Sequence, residues 1–328
     1  YLTGRDEAMD RNKIRKIAKR QETIVAAFSL IVFIFFSVFS DNFFTPTNLK
    51  LILQQYAVNG ICVLGISIVV ILGGIDLSAG AVLAMAGSVA GTLVKAGSPV
   101  VVCVLAGIGA GMVCSLINAT IITKCRVPAI ITTTASNYMF RGLIVVVTGG
   151  YWVNQFPREF TEIGTGRILG ISNIFWMAMI LLLIMSVFMK YFNTGRKIYA
   201  VGTNPQGADL SGISSDKIQI IGYMICGALI GFAGVMYAAS YGAINPSSTG
   251  LTVGTTILAA ALAGGVNFGG KGTLLGGAIG MMMITIINNG LIQVKVSEYW
   301  VDAITGAIIL IALILNVLNV GEKRRGEE

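Results

Sequence analysis

YFNTGRKIYAVGTNPQGADLSGISSDKIQIIGY, Tyr191–Tyr223, is the longest polar interval in a chain otherwise built from long apolar runs. Its punctuation is that of a helix. Asn204 is a good N-cap, Pro205 suits the first helical position, and Gly212 is a natural terminator. Gln206–Ser211, with Gly207, Ala208, Asp209 and Leu210 between, allows under two turns. The expectation is one short helix, isolated by Gly202 before it and Gly212 after it. Such a helix is marginal in water alone and has to be held by packing against another surface.

Working outward, the flanking runs define the fold class. Of 328 residues, 55% are hydrophobic and 12% charged, against roughly 25% charged in an average soluble domain. The chain reads as an all-α integral membrane protein. With about 20 apolar residues per span, the runs fall at 23–40, 51–72, 78–95, 99–122, 129–148, 172–190, 218–241, 252–266, 273–293 and 300–320. That is about ten transmembrane helices, flanked by a basic tail at 1–22 and a short tail at 321–328. The span at 252–266 is the weakest, and merging it with a neighbour inverts everything after it.

Charge sets the orientation. Arg11–Arg20, RNKIRKIAKR, precedes the first run, and no small-residue cleavage site follows it, so both N- and C-termini are expected in the cytoplasm. The inside segments then hold the seven Lys/Arg of the first tail, Lys124, Arg126, Lys190, Arg196, Lys197, Lys217, Lys271, Lys323, Arg324 and Arg325. The outside ones hold Lys50, Lys95, Arg158, Arg167 and Lys295, and Arg141 lies within a span. This asymmetry places 191–217 in the cytoplasm and accounts for the net charge of +8 without nucleic acid as a partner.

Enzyme chemistry finds no foothold. Histidine is absent, and there is no HExxH or GxSxG. The five cysteines, Cys62, Cys103, Cys114, Cys125 and Cys226, lie far apart and read as small packing residues. Gly265–Gly272, GVNFGGKG, nearly spells a phosphate-binding loop, but Gly272 follows the lysine where a hydroxyl is needed, and a membrane span precedes it in place of a strand. No cofactor is expected in this chain. If ATP powers it, another subunit binds the nucleotide and its Mg.

Several polar residues sit in or beside spans. Asp76 is expected near the cytoplasmic end and Asp302 near the outer end, where the roughly 2.5–3.5 kcal/mol cost of an intramembrane charge largely disappears. Asp76 reads as a cap or gate residue. An internal echo pairs LGGIDLSAGAVLAMAGSVAG at 72–91 with AGGVNFGGKGTLLGGAIGMM at 263–282, 191 residues on, setting Asp76 opposite Asn267. It is a weak internal repeat of the kind transporters build on, or only the sameness of Gly-rich helix pairs. Ser78, Asn137, Asn267, Asn288 and Asn289, with Asp76, are the candidate substrate path or gate; of the tandem Asn288–Asn289, at most one is expected to face any lumen. Asn59, Asn118, Thr132–Thr134 and Ser136 either bond between helices or line a wet passage. Glycines at Gly107–Gly111, Gly227–Gly231 and Gly276–Gly280 have small-xxx-small spacing and read as helix contacts. The outer segment Gly149–Ser172 either folds over the outer face or lies flat with Tyr151 and Trp152 at headgroup level.

GGIDLSAG, VPAIITTTASNYMFRG, GRKIYAVGTNPQGADLSGISSDKIQIIGY and GGVNFGGKGTLLGGAIG with its NNGL together resemble the permease subunits of bacterial ABC importers for monosaccharides, over roughly residues 45–318. The resemblance implies a ten-span, multi-pass permease of the bacterial inner membrane that carries a monosaccharide inward. It also implies a cytoplasmic ABC ATPase, an extracytoplasmic sugar-binding protein, and a second permease, as homodimer or paralogue pair. The segment Ala200–Ile213, with Asn204–Gly212 at its centre, would be the coupling helix seated in the ATPase. Two departures stand out: Thr252-Val253-Gly254-Thr255-Thr256 replaces commonly acidic residues, and Gly207 replaces a small alanine. The rival reading, favoured by the echo, is an ion-coupled secondary transporter of a small polar solute.

Overall fold

A computed structural model describes residues 21–297, 300–301, 303–307 and 310. The two tails, Asp302 and most of the run at 300–320 lie outside the described residues. The helices are α1 (Gln21–Phe39), α2 (Pro46–Ile71), α3 (Ala79–Lys95), α4 (Val100–Lys124) and α5 (Ala129–Thr148), then α6 (Arg158–Thr165), α7 (Asn173–Tyr191), α8 (Asn193–Thr203) and α9 (Pro205–Leu210). They end with α10 (Ser215–Tyr241), α11 (Val253–Ala263) and α12 (Leu274–Gln293). Seven of them, α1, α2, α4, α5, α7, α10 and α12, are long and apolar enough to cross a membrane. Four two-residue strands complete the described elements: β1 (Val153–Asn154), β2 (Arg167–Ile168), β3 (Ile171–Ser172) and β4 (Ala243–Ile244).

The helix ends follow local chemistry. Thr45, Ser214 and Thr273 cap α2, α10 and α12 by accepting from Asn48, Lys217 and Gly276 N–H groups, which satisfies donors the helix leaves free. The centre of the bundle is α2, α3, α10 and α12, while α1 and α7 expose most of their apolar surface, as helices facing lipid do. With no hydrophobic force between helices in hydrocarbon, close approach and van der Waals contact pack them. The α4–α10 crossing needs glycine for this. A Cβ on Gly111 would lie 2.2 Å from the Gly227 carbonyl oxygen, and one on Gly227 would lie 2.3 Å from that of Gly111. The small-xxx-small spacing read from the sequence is therefore a real contact between two of the predicted pairs.

One sequence expectation needs correction here and one open alternative is decided. Residues 252–266 do not form a full span: α11 has 11 residues, about 16 Å at 1.5 Å per residue, half of the roughly 30 Å hydrocarbon core. The non-helical stretch 242–252 leads into it, with Ile244, Pro246 and Thr249 buried and Ser247, Ser248, Leu251 and Thr252 exposed. A Cβ on Gly80 would stand 1.8 Å from the Gly250 carbonyl oxygen, and Nη1 of Arg141 donates to the carbonyls of Ser247 at 2.9 Å and Thr249 at 3.0 Å. Irregular backbone beside membrane helices needs partners for its polar groups, and Arg141 supplies them to these carbonyls. The segment Gly149–Ser172 takes the folded alternative: β1 pairs antiparallel with β4, Val153 opposite Ile244, and α6 buries Phe160 and sets Gly164 against Ser240 of α10. Four of the five cysteines are buried; Cys125, at the end of α4, is exposed.

Candidate functional site

The polar interval holds two helices instead of one. Gly202 does not separate them; it lies within α8, on the face that carries Gly195, Ile198 and Val201 into the core. Sequence reading missed α8, because NTGRKIYAVGT is short, polar and twice interrupted by glycine. Its amphipathic face, Ile198 and Val201 three residues apart, was the available signal.

The α9 helix behaves as its punctuation dictates. Asn204 is extended, and its Oδ1 accepts the Gly207 N–H at 2.9 Å, with Pro205 at the first position. At the far end Gly212 has φ +79° and donates to Asp209 O, while Ile213 N–H donates to Ala208 O at 2.9 Å, the paired closure of a left-handed C-terminus. Asp209 reaches forward, each carboxylate oxygen accepting at 2.8 Å from Ser215, one from its N–H and one from its hydroxyl. Those two bonds hold the Asp209 carboxyl below the usual carboxylate range. Ala208 is buried, whereas Pro205, Gln206, Asp209, Ser211 and Gly212 are exposed and Leu210 is 91% exposed.

Behind α9, α8 is clasped to two turns of the bundle. A Cβ on Gly202 would lie 1.9 Å from the Ile71 carbonyl oxygen at the end of α2. That same oxygen accepts from Gly270 N–H at 3.1 Å, in the turn between α11 and α12. Tyr199 adds a bond from its hydroxyl to Gly272 O at 3.0 Å. The end of α2 and the second echoing stretch, far apart in sequence, therefore meet at one short helix.

Their likeness is only partial. Both preceding helices close on a left-handed glycine, Gly73 with φ +86° and Gly265 with φ +91°, positions 192 residues apart where the sequences pair at 191. The following helices then start at Ala79 and Leu274, so the spacing is not constant. Neither Asx residue is a helix N-cap: Ser78 and Thr273 hold those positions. Asn267 instead bridges to Lys271 across the second turn. Asn267 N–H is bonded to Lys271 O and Gly270 N–H to Ile71 O, so these two amides of the glycine-rich turn are committed within the protein.

Asp76 is not at an exposed edge. It is 0% exposed, so the cost of burying it has not disappeared. Its Oδ1 accepts from Ser78 N–H at 2.8 Å and Ser78 Oγ at 2.6 Å, and Asn118 Nδ2 donates to Ser78 Oγ at 2.9 Å. Thr133 of α5 accepts from Leu77 N–H at 3.2 Å, and Tyr223 of α10 donates to Ile75 O at 3.5 Å. The turn is thus a polar knot joining α3, α4, α5 and α10. Beside it, Arg126 makes two bonds to Asp216 at 2.8 and 3.2 Å, tying the α4–α5 turn to the start of α10.

A separate cavity of about 230 Å³ opens among α2, α3, α10 and α12, lined by Gln55, Asn59, Tyr237, Tyr241, Thr285, Asn288 and Asn289, with Gly250 and several apolar side chains. Both tandem asparagines border it, but they do not point the same way: Asn289 is buried and turned to Asn48, with bonds of 2.8 and 3.0 Å. Asn288 Oδ1 accepts from Thr305 at 2.6 Å. The rings of Tyr237 and Tyr241 lie 4.5 Å apart on the wall. Of the residues named as a path, only Asn288 and Asn289 line this cavity. Asp76 and Ser78 belong to the knot, Asn267 to the second turn, and Asn137, on α5, is half-buried and lines neither. Tyr237, Tyr241 and Gln55 escaped notice because one amide or phenol on an apolar helix looks like any packing residue. Among the described residues, no group of three or more His, Cys, Asp or Glu could hold a metal ion.

A protein-family model described as "Branched-chain amino acid transport system / permease component" matches residues 48–313. The ribose import permease protein RbsC of Escherichia coli (strain K12) is 35% identical over 301 residues, covering 90% of this chain and 93% of that one. The autoinducer 2 import system permease protein LsrC of Photorhabdus luminescens is 31% identical over 303 residues, 92% and 91% of the two chains. No solved structure matches the chain. These likenesses run through α2, the knot, both clasped turns and the α8–α9 pair, and on them this chain belongs to the family of transport-system permease components, multi-pass proteins of the membrane.

Proposed function

We propose that this chain is the permease subunit of an ATP-binding-cassette importer that moves a monosaccharide, or a similarly small hydroxyl-rich solute, inward across the bacterial inner membrane. The carrying observation is the α8–α9 pair: an exposed, doubly capped helix joined to one that grips the turns after α2 and α11. In this reading a cytoplasmic ABC ATPase, which holds ATP and Mg, seats Asn204–Gly212 in a groove. Its closure moves α8, and with it both turns, so that the cavity walls formed by α2 and α12 part at one end and close at the other. Amides and hydroxyls of Gln55, Asn59, Thr285 and Asn288, with the Tyr237–Tyr241 pair, suit a solute with both a hydroxyl rim and an apolar ring face.

The topology that fits has ten spans and cytoplasmic termini, the run at 300–320 supplying the tenth, with a second permease completing the pathway and a binding protein delivering solute on the α6 side. The ion-coupled alternative loses its motive, since the echo does not hold register and Asp76 is locked in a knot away from the cavity. In proteoliposomes with the cognate ATPase and binding protein, replacing Asn204–Gly212 by a Gly/Ser linker should abolish ATP-driven uptake while the chain still inserts. Undiminished uptake, or uptake driven by an ion gradient without nucleotide, refutes the reading.

A further inference from the structure

At the α8 end of the bundle, a cavity of about 500 Å³ opens between α7, α8, α12 and the start of α1, remote from the polar cavity. Its polar wall carries Lys190, Arg196, Ser186, Tyr199 and Glu22, and its apolar wall is Met189, Leu274 and Leu275. Glu22 is engaged: its carboxylate accepts from the Thr273 hydroxyl. Lys190 lies 5.0 Å over the ring of Tyr191, and Arg196 bonds to the Asn193 side chain; among the described residues neither cation pairs with a carboxylate. Two cations thus face one carboxylate that already has a partner.

The place is as informative as the charge. Lys190 ends the lipid-facing helix α7, and the next residues, Tyr191 and Phe192, are 62% and 57% exposed. Aromatics so placed at the end of a span mark the headgroup level. Leu275, at the start of α12, lines the cavity and is half exposed, so a ligand leaving the cavity past it meets apolar surface. A soluble anion would use only the basic wall, and an acidic protein segment would likewise leave the half-exposed Leu275 unmatched. A molecule with a phosphate at one end and acyl chains at the other uses both walls.

We propose that this cavity is a binding site for an anionic glycerophospholipid, its phosphate between Lys190 and Arg196 and its chains running out over Leu275. Seated there, the lipid contacts α8 through Arg196 and Tyr199, and so bears on the helix that grips the α2 and α11 turns. The test uses the full chain purified in neutral detergent, titrated with phosphatidylglycerol or phosphatidylcholine, with retained lipid counted by native mass spectrometry and thermal melting followed in parallel. The wild type should retain phosphatidylglycerol preferentially and melt higher with it. Lys190→Met with Arg196→Gln, which keeps both side-chain stems, should lose about thirtyfold of that preference, as two basic groups near an anionic surface contribute. Arg158→Ala with Arg167→Ala, at the other end, should lose none. Equal retention of the two lipids by the wild type, or a preference that survives the Lys190/Arg196 change, overturns the proposal. Displacement by millimolar glycerol 3-phosphate identifies a soluble anion site and overturns it too, as does protection by an acidic peptide without any lipid preference.

Discussion

Gly202→Ala is the sharpest test of how α8 works. A Cβ there would lie 1.9 Å from the Ile71 carbonyl oxygen and 3.1 Å from Gly270 N, whereas carbon and carbonyl oxygen approach to about 3.3 Å at closest. The helix must therefore lift by about 1.4 Å from both turns, or the turns must open by as much. Overpacking of this kind costs about 1–3 kcal/mol. Losing the Tyr199 to Gly272 bond adds about 0.5–1.5 kcal/mol. The sum, about 1.5–4.5 kcal/mol, falls on the clasp and leaves the buried helix crossings untouched. The expected outcome is a protein that inserts, binds the ATPase through an unaltered α9, and hydrolyses ATP in the complex, but imports fewer solute molecules per ATP. Uptake and phosphate release measured in the same proteoliposomes give that ratio, and a wild-type ratio would refute the transmission of force through α8.

Three further outcomes follow from the geometry. Gly111→Val should abolish folded, monodisperse protein in size-exclusion chromatography of detergent extracts, because its Cβ meets the Gly227 carbonyl oxygen at 2.2 Å and the Gly231 Cα at 2.8 Å, backbone that cannot yield; Gly111→Ala should fall between. Asp76→Asn should melt near the wild type, since its Oδ1 still accepts from Ser78, whereas Asp76→Ala leaves the Ser78 N–H without its acceptor and should cost about 1–3 kcal/mol in thermal or denaturant melting. The depressed Asp209 titration carries a sign: the bonds from Ser215 favour the charged carboxylate, so the tie is complete above the ordinary Asp range near 3.9 and fails only as pH drops through the lower folded value. Amide exchange in α9, corrected for intrinsic rate, should be flat from pH 8 to about pH 5 and rise below about pH 4. Loosening between pH 5 and 7 would contradict the assignment.

Composition and period alone determined that this is a helical membrane protein, because lipid leaves no other way to satisfy so much apolar chain. Local chemistry was equally legible: the Asn204-Pro205 start and the Gly212 stop were readable since caps depend on neighbours only a few residues away. The glycine spacings announced close helix contacts, though not which helices met. Partners depend on tertiary structure. That Gly111 faces Gly227, that Asp76 is enclosed by α4, α5 and α10 instead of lying near solvent, and that Asn289 turns to Asn48 are facts about residues 40 to 241 positions apart, which no local pattern encodes. The same limit hid α8, whose meaning lies in the two turns it grips, and shortened the span at 252–266, where the stretch before it instead meets Gly80 of α3 and bonds to Arg141. In a bilayer, hydrophobicity tells a segment to enter, and only packing tells it what to touch.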